Sequence, residues 1–334
     1  MKIYRSTNKA TIYSSLKKLK KFVVKNQITI NKPVISKNDF NYIKKSISQI
    51  EISTYGSFTN LFEKELKKYT KSKFVLCTNS GTSGLHLSLL ALNINEDHEV
   101  FLPSFNFISS ANAIRYCNAT PHFLDIELNN LGIDPGKLDT YIKKKFIFKN
   151  GKLLNKKTSK HLKAIILVYS YGHPPKIKEL LKICKRYKIK VIEDSAEALG
   201  TFYNKKHSGT FGDFGILSFN GNKIITTGAG GAILTNSKIL FNKVLELATL
   251  AKNKDKIFDY KILGFNYRMA SINASLGLSQ LKDINKRILK RRNLYKKYKE
   301  ILNNFNIGKL FTEPKSAKSN YWSQLLILNK EFVK

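Results

Sequence analysis

Short apolar runs recur along this chain, separated by stretches whose apolar residues return every three or four positions. Phe74 to Thr78, Val100 to Pro103, Pro121 to Asp125, Ala164 to Val168, a run ending at Val191 and Ile192, and Phe214 to Phe219 read as strands. Ala164 to Val168 is apolar throughout, as a strand covered on both faces requires. Helical spacing marks Lys37 to Ile47, then a helix that Ser57 can cap, with Phe58, Leu61, Phe62, Leu66 and Tyr69 on one face. Further helices are expected up to about Ala91, over Ile177 to Tyr187 and over Lys243 to Lys252. Asn273 to Lys299 holds one or two more, with Leu276, Leu278, Leu281, Ile284, Ile288 and Leu289 inward. Residues 141–163, rich in Lys, Asn and Gly, read as an exposed hairpin or long loop. Strands alternating with helices up to about residue 236 predict an α/β fold with a mostly parallel central sheet.

Three units follow from this pattern. Residues 1–50 form a basic helical segment, in which Tyr13 to Val24 is amphipathic through Leu16, Leu19, Phe22 and Val23 and is expected to dock on its own protein. Residues 51–297 form a large domain. Residues 298–334 begin a small C-terminal α/β subdomain with Ser323 to Leu328 as one strand, and this subdomain reads as incomplete.

The charge is unusual: 59 Lys+Arg stand against 23 Asp+Glu, a net of +36. Such an excess raises the question of nucleic acid. The lysines are spread along the chain with no zinc spacing or compact recognition module, so a solvated surface is expected and no specific nucleic acid. Cys77, Cys117 and Cys184 are odd in number and far apart, which suits reduced thiols and a cytoplasmic location. The histidines show no metal-ligand spacing. No signal peptide and no run of about 18 apolar residues is seen, so no membrane insertion is expected. SerGlyThrSerGly after the first strand does not match G-x-G-x-x-G, which argues against a nicotinamide oxidoreductase.

The chemistry gathers between residues 190 and 236. Asp194 ends an apolar strand, and Lys223 follows a Gly-Asn turn after another. Ligands of open α/β sheets bind at such carboxyl ends. A lysine on a turn suits attachment to an aldehyde cofactor, and a carboxylate suits the protonated nitrogen of a pyridine ring. A strand, the small-residue turn from Asn79 to Leu85 and a helix leave free amides for a phosphate, with Ser218 as a further hydroxyl. A tight connection with no ligand is the alternative for that turn. Together these parts fit pyridoxal 5'-phosphate.

At this point the sequence closely resembles the DegT/DnrJ/EryC1/StrS family of PLP-dependent sugar aminotransferases. The resemblance runs from about Ser53 to Gln280. It rests on SerThrTyrGly (53 to 56), SerGlyThrSerGlyLeu (80 to 85), ProSerPheAsnPheIleSerSerAlaAsnAlaIle (103 to 114), GluAspSerAlaGlu (193 to 197), SerPheAsnGlyAsnLysIleIleThrThrGly (218 to 228) and GlyPheAsnTyrArgMet (264 to 269). It implies fold type I, the aspartate aminotransferase-like fold, in a homodimer with shared active sites. It also implies amino transfer from glutamate to the C4 keto group of a nucleotide-linked 4-keto-6-deoxy sugar. Such reactions serve surface polysaccharide, lipopolysaccharide or nonulosonic-acid biosynthesis, and the likeness is nearest to the legionaminic-acid and bacillosamine-type members.

Carried over residue by residue, the resemblance makes Lys223 the cofactor-bonded lysine and proton shuttle, and Asp194 the partner of the pyridine nitrogen. Thr82, Ser83 and Ser218 hold the phosphate, Phe107 stacks on the ring, and Glu197 lies near the 3-hydroxyl. Asn266 reaches the cofactor phosphate of the neighbouring subunit. His173 is expected to be satisfied structure, and Arg268 to anchor a loop or the dimer contact. Two departures stand out. AsnLysProValIleSer (31 to 36) replaces a Pro- and Glu-containing segment, and the family extends some tens of residues beyond its equivalents of Asn320, Tyr321 and Trp322. A truncated, weakly active or inactive relative, and a basic binding protein that keeps the fold, are the alternatives.

Overall fold

The computed structural model describes residues 31–252, 260, 262–302 and 307–332, with residues 10, 13, 14, 17, 18, 20, 21 and 25 of the N-terminal segment. Half of the amphipathic helix expected from Tyr13 to Val24, including Leu16, Leu19, Phe22 and Val23, therefore lies outside the described residues. The elements run α1 (Lys37–Ser48), α2 (Ser57–Thr70), β1 (Phe74–Thr78), α3 (Gly81–Ala91), β2 (His98–Pro103), α4 (Ser109–Tyr116), β3 (Thr120–Leu124) and α5 (Pro135–Lys145). They continue with β4 (Phe146–Lys149), β5 (Lys152–Asn155), β6 (His161–Val168), α6 (Ile177–Arg186), β7 (Lys190–Asp194), β8 (Phe202–Tyr203), β9 (Lys206–His207), β10 (Phe214–Ser218) and β11 (Gly231–Thr235). Last come α7 (Lys238–Ala248), α8 (Ser271–Lys282), α9 (Ile284–Leu302), β12 (Gly308–Leu310), β13 (Ala317–Lys318) and β14 (Leu326–Leu328).

The central sheet has the order β1-β11-β10-β7-β6-β2-β3. From β10 to β3 every pairing is parallel, while β11 runs antiparallel to both its neighbours. Side-chain alternation then builds three layers. Leu76, Ala164, Ile166 and Ile216 pack with α3, α4 and α7 on one face. On the other, Ile165, Leu167 and Val191 pack with α5 and α6, and Cys77, Leu217 and Leu234 pack with α2, α8 and the start of α9. The predicted α/β class with a mostly parallel sheet is what the chain forms. At its C-terminal end, β12 and β14 make a separate antiparallel pair.

Several local expectations need correction. Ser57 is not the cap of α2 but its first residue. The cap is Gly56, and the Glu51 carboxylate accepts from both the Ser57 amide and hydroxyl, doing the work a cap side chain would do. Leu61 and Leu289 are exposed, because the apolar stripe of each helix is narrower than the spacing suggested. The helix placed at 243–252 begins at Lys238, where the Ser237 hydroxyl caps the Leu240 amide, and stops at Ala248.

The stretch 141–163 is neither fully exposed nor a free loop. Its first residues belong to α5, started by the Asp134 cap and Pro135. The β4–β5 hairpin follows, joined antiparallel to β6, whose first residues, 161–163, end the stretch. The Asn155 amide and the Thr158 hydroxyl fasten it to the buried Glu99 carboxylate, which also meets His122 Nδ1 at 2.8 Å.

Candidate active site

Strand β7 delivers Asp194 to the carboxyl end of the sheet. Alternation sends Glu193 the other way, into the core, where it accepts from the Gly209, Phe211 and Gly212 amides and the Tyr169 hydroxyl. Burial pushes the Glu193 carboxyl up while those four donors pull it back. Its task is to hold the 209–212 loop against β7. Asp194 is also buried, yet it borders a cavity, and its Oδ2 accepts the Ser110 hydroxyl at 2.6 Å.

Beyond Asp194 the chain coils through Ser195 to Thr201, bringing Glu197 to the same cavity. Glu197 Oε2 accepts the Tyr171 amide at 2.8 Å, and Oε1 lies 3.5 Å from Lys223 Nζ. Burial raises the Glu197 carboxyl above its ordinary value, and the Lys223 charge opposes that rise. Tyr171 adopts a left-handed backbone (φ 56°), which turns its amide toward that carboxylate.

Lys223 stands on the turn after β10, closed by its own amide to the Asn220 carbonyl at 3.0 Å. Its ammonium lies 4.5 Å from the centre of the Trp322 ring. Trp322 is pinned by its indole N–H to the Asn222 carbonyl at 2.8 Å, and its ring stacks on Tyr171. Asn320 seats this segment: its side-chain amide donates to the Glu197 and Leu199 carbonyls, and its Oδ1 accepts the Trp322 amide.

Across the cavity stands the N-terminus of α3. Ser80 caps it by accepting the Ser83 amide at 3.0 Å, which leaves the Gly81 and Thr82 amides without a partner among the described residues. The turn is pressed tightly onto the sheet. A Cβ on Gly81 would come within 3.2 Å of Ser218 Cβ, and one on Gly231 within 2.5 Å of the Gly81 nitrogen. Two free amides, two nearby hydroxyls and the positive end of a helix are what a phosphate dianion needs.

These parts line one cavity of about 570 Å³, large enough for a cofactor with room for a substrate. Of the residues singled out in the sequence, Thr82, Phe107, Asp194, Glu197, Ser218 and Lys223 all border it. Ser83 does not. Its hydroxyl is engaged by Asn79 Oδ1 at 2.6 Å and by Ser80, and Ser80 takes its place in the wall. Asn266 is exposed and outside this cavity, with its backbone bridged to Thr249. The residue classes and the phosphate cradle fit pyridoxal 5'-phosphate.

His173 is buried structure, as expected. Its Nδ1 meets the Ser319 hydroxyl at 3.0 Å, and burial drives the imidazole down to about 3. Arg268 anchors its loop to α2 through Glu63 at 2.7 Å. Sequence reasoning missed Ser110, Tyr171 and Trp322. Ser110 lay inside the quoted 103–114 stretch, and Trp322 is the single tryptophan of the chain. For Tyr171 no sequence signal pointed at the cavity.

The model of the DegT/DnrJ/EryC1/StrS aminotransferase family matches residues 33–333. A GDP-perosamine synthase of Caulobacter vibrioides is 34% identical over 291 residues, covering 87% of this chain and 74% of that protein. A UDP-4-amino-4,6-dideoxy-N-acetyl-beta-L-altrosamine transaminase of Campylobacter jejuni is 32% identical, covering 88% and 75%. Among solved structures, Helicobacter pylori PseC, an aminotransferase involved in the biosynthesis of pseudoaminic acid, superposes with a TM-score of 0.80. It is 26% identical, and the match covers 91% of this chain and 78% of that one. The chain thus spans about three quarters of the length of these relatives.

Proposed function

The chain belongs to the DegT/DnrJ/EryC1/StrS aminotransferase family and is a pyridoxal phosphate-dependent aminotransferase, and from that premise we propose that it moves an amino group from glutamate to the C4 keto group of a nucleotide-linked 4-keto-6-deoxy sugar. The observation that carries this reading is the meeting of Lys223, Asp194 and the α3 amides around one cavity. The C4 acceptor is suggested by the relatives whose names specify 4-amino sugars.

Pyridoxal phosphate supplies an electron-withdrawing ring and an aldehyde that combines with amines. In this reading the Gly81 and Thr82 amides and the Thr82 and Ser218 hydroxyls hold its phosphate. Asp194 provides the buried negative charge for the ring nitrogen, and Ser110 fixes the carboxylate that does so. Phe107 covers the ring, and Glu197 faces the 3-hydroxyl. Lys223 is the covalent anchor and afterwards the base and acid, taking a proton at Nζ and returning it within the same cavity. One lysine can serve both half-reactions because the turn holds it beside the reacting carbon throughout. In the same reading the exposed Asn266 serves the cofactor phosphate of a second subunit in a homodimer. Residues 51–297 would then form the cofactor domain and residues 298–334 part of a small domain.

The test is a visible absorption titration with pyridoxal phosphate, before and after glutamate, on the parent and on Lys223→Ala. Borohydride trapping and peptide mapping should place the covalent label on Lys223. GDP- and UDP-linked 4-keto-6-deoxy sugars are then offered, and mass spectrometry looks for the amine. A label elsewhere, or a covalent band that survives in folded Lys223→Ala, removes Lys223 from its role. A band indifferent to glutamate overturns the donor, and no amine from either sugar overturns the acceptor.

A further inference from the structure

Behind the Lys223 turn lies a second cavity of about 430 Å³, between the 32–36 segment and helices α8 and α9. Lys223, Ile224 and Thr226 form its inner wall, so the turn that carries the reactive lysine separates two cavities. The outer wall is strongly cationic. Among the described residues, Lys32, Lys286, Arg287, Lys290 and Arg291 line it, against the single carboxylate of Asp283.

Its floor contains polar atoms that the fold leaves unmatched. Gln280 is fully buried. Its side-chain amide donates to Asp39 Oδ2 at 2.7 Å and to the Val34 carbonyl at 3.1 Å, while its Oε1, although buried, has no partner among the described residues. Arg287 donates through Nη2 to the Val34 carbonyl at 3.2 Å, yet its buried Nε–H has no acceptor among them. Arg291 spends one donor on Asn31 Oδ1 at 2.7 Å. Burial lowers both guanidinium groups from their ordinary value. A buried donor and a buried acceptor left unmatched each carry a desolvation cost. Half-buried arginines beside them are the usual means of gripping a phosphate.

We propose that this second cavity binds a phosphate-bearing ligand, whose anionic oxygens meet the half-buried guanidinium groups of Arg287 and Arg291. Because the Lys223 turn forms the shared wall, occupancy here braces the turn from behind. The arginines and lysines that would grip the ligand lie outside the cofactor cavity, and the site stands whichever acceptor the enzyme uses.

The experiment is calorimetric titration of inorganic diphosphate into the pyridoxal phosphate-loaded protein, so that the cofactor's phosphate site is already filled. Saturable binding at one site per chain is expected, weakened at least about tenfold by Arg287→Gln. Lys290→Gln, at an exposed position, should weaken it about two- to threefold with the melting temperature unchanged, which keeps the test sound if Arg287→Gln fails to fold. Lys67→Gln, exposed on α2 and outside the cavity lining, should change nothing. No saturable uptake by the parent, or equal affinity in the parent, Arg287→Gln and Lys290→Gln, overturns the proposal. Two further arms identify the source. If GDP or UDP displaces diphosphate, and Arg291→Gln raises the KM for the acceptor at unchanged kcat, the phosphate belongs to the acceptor. If diphosphate binds without changing that KM, it belongs to a separate phosphorylated ligand.

Discussion

The Ser110 hydroxyl donates to Asp194 Oδ2 at 2.6 Å, from a helix 84 positions earlier in the chain. Two αβ units thus fix one carboxylate between them. A buried carboxylate depends on hydrogen-bond donors to replace the water it has lost. Ser110→Ala removes one of the two donors that the structure gives it, the other being the Ala196 amide. A hydrogen bond to a charged group contributes about 1.5–3 kcal/mol. Pyridoxal phosphate affinity should fall about tenfold or more in an absorbance titration, with recovery in Ser110→Thr. An unchanged affinity would separate Asp194 from the cofactor.

Gly231 tests the phosphate cradle without touching a hydroxyl. An added Cβ would lie 2.5 Å from the Gly81 nitrogen and 2.6 Å from the Ser80 carbonyl carbon, backbone that has no side-chain freedom to retreat. Gly231→Ala should displace the start of α3 and weaken cofactor binding by roughly tenfold or more, at a stability cost of about 1–3 kcal/mol. Equal affinities in parent and variant would show that the α3 amides do not hold the phosphate.

Arg268 and Glu63 should matter to stability more than to catalysis. Their side chains are largely buried, and Glu63 Oε1 also accepts the Cys77 amide at 2.7 Å. Removing one partner leaves the other charge poorly compensated. Arg268→Ala is expected to cost about 2–4 kcal/mol in urea unfolding, and a double-mutant cycle with Glu63→Gln should give a coupling of about 1–3 kcal/mol. A coupling near zero would make the pair incidental.

Acid should loosen the C-terminal segment through His173. The folded imidazole is held down at about 3, against an ordinary value of 6.5, chiefly by burial. Below pH 6.5 the unfolded chain takes up a proton that the folded chain refuses. Stability is therefore full above that value and falls steadily as the pH drops from 6.5 toward 3. The loss from this one group is about 2 kcal/mol by pH 5. His173→Gln should start less stable at pH 7 yet lose correspondingly less on going to pH 5 in thermal melts. Parallel curves for parent and variant would show that His173 protonates freely while folded.

Much of this was readable before any coordinates. Ala164 to Val168 announced a strand buried on both faces, and Asp194 and Lys223 announced themselves by standing where apolar runs stop. Ser83 misled because a hydroxyl at a helix start has two possible duties, and only the geometry shows it tied to Asn79. Leu61 and Leu289 misled because spacing gives the direction of an apolar stripe and not its width. Tyr171 was invisible because its contribution is a backbone amide turned by a left-handed φ. The basic cavity was hidden for another reason. Its lysines are ordinary among 59 cationic residues, and only the orphaned atoms of Gln280 and Arg287 set them apart.

Trp322 is the last-synthesised residue of the cofactor cavity wall, a hundred positions after the Asn222 carbonyl to which it is pinned. A nascent chain that has already released β1 through β11 from the ribosome still has an open cavity. The wall is added only after β11, α7, α8 and α9, which separate the two residues in the chain, have been made. During that interval the aromatic floor around Tyr171 faces solvent. Cofactor captured early would meet Lys223, Asp194 and the α3 turn without the Trp322 wall, which is fixed only when Asn320 seats itself on the Glu197 and Leu199 carbonyls. In the order of translation, the side of the cavity that Trp322 closes is thus the last to be made.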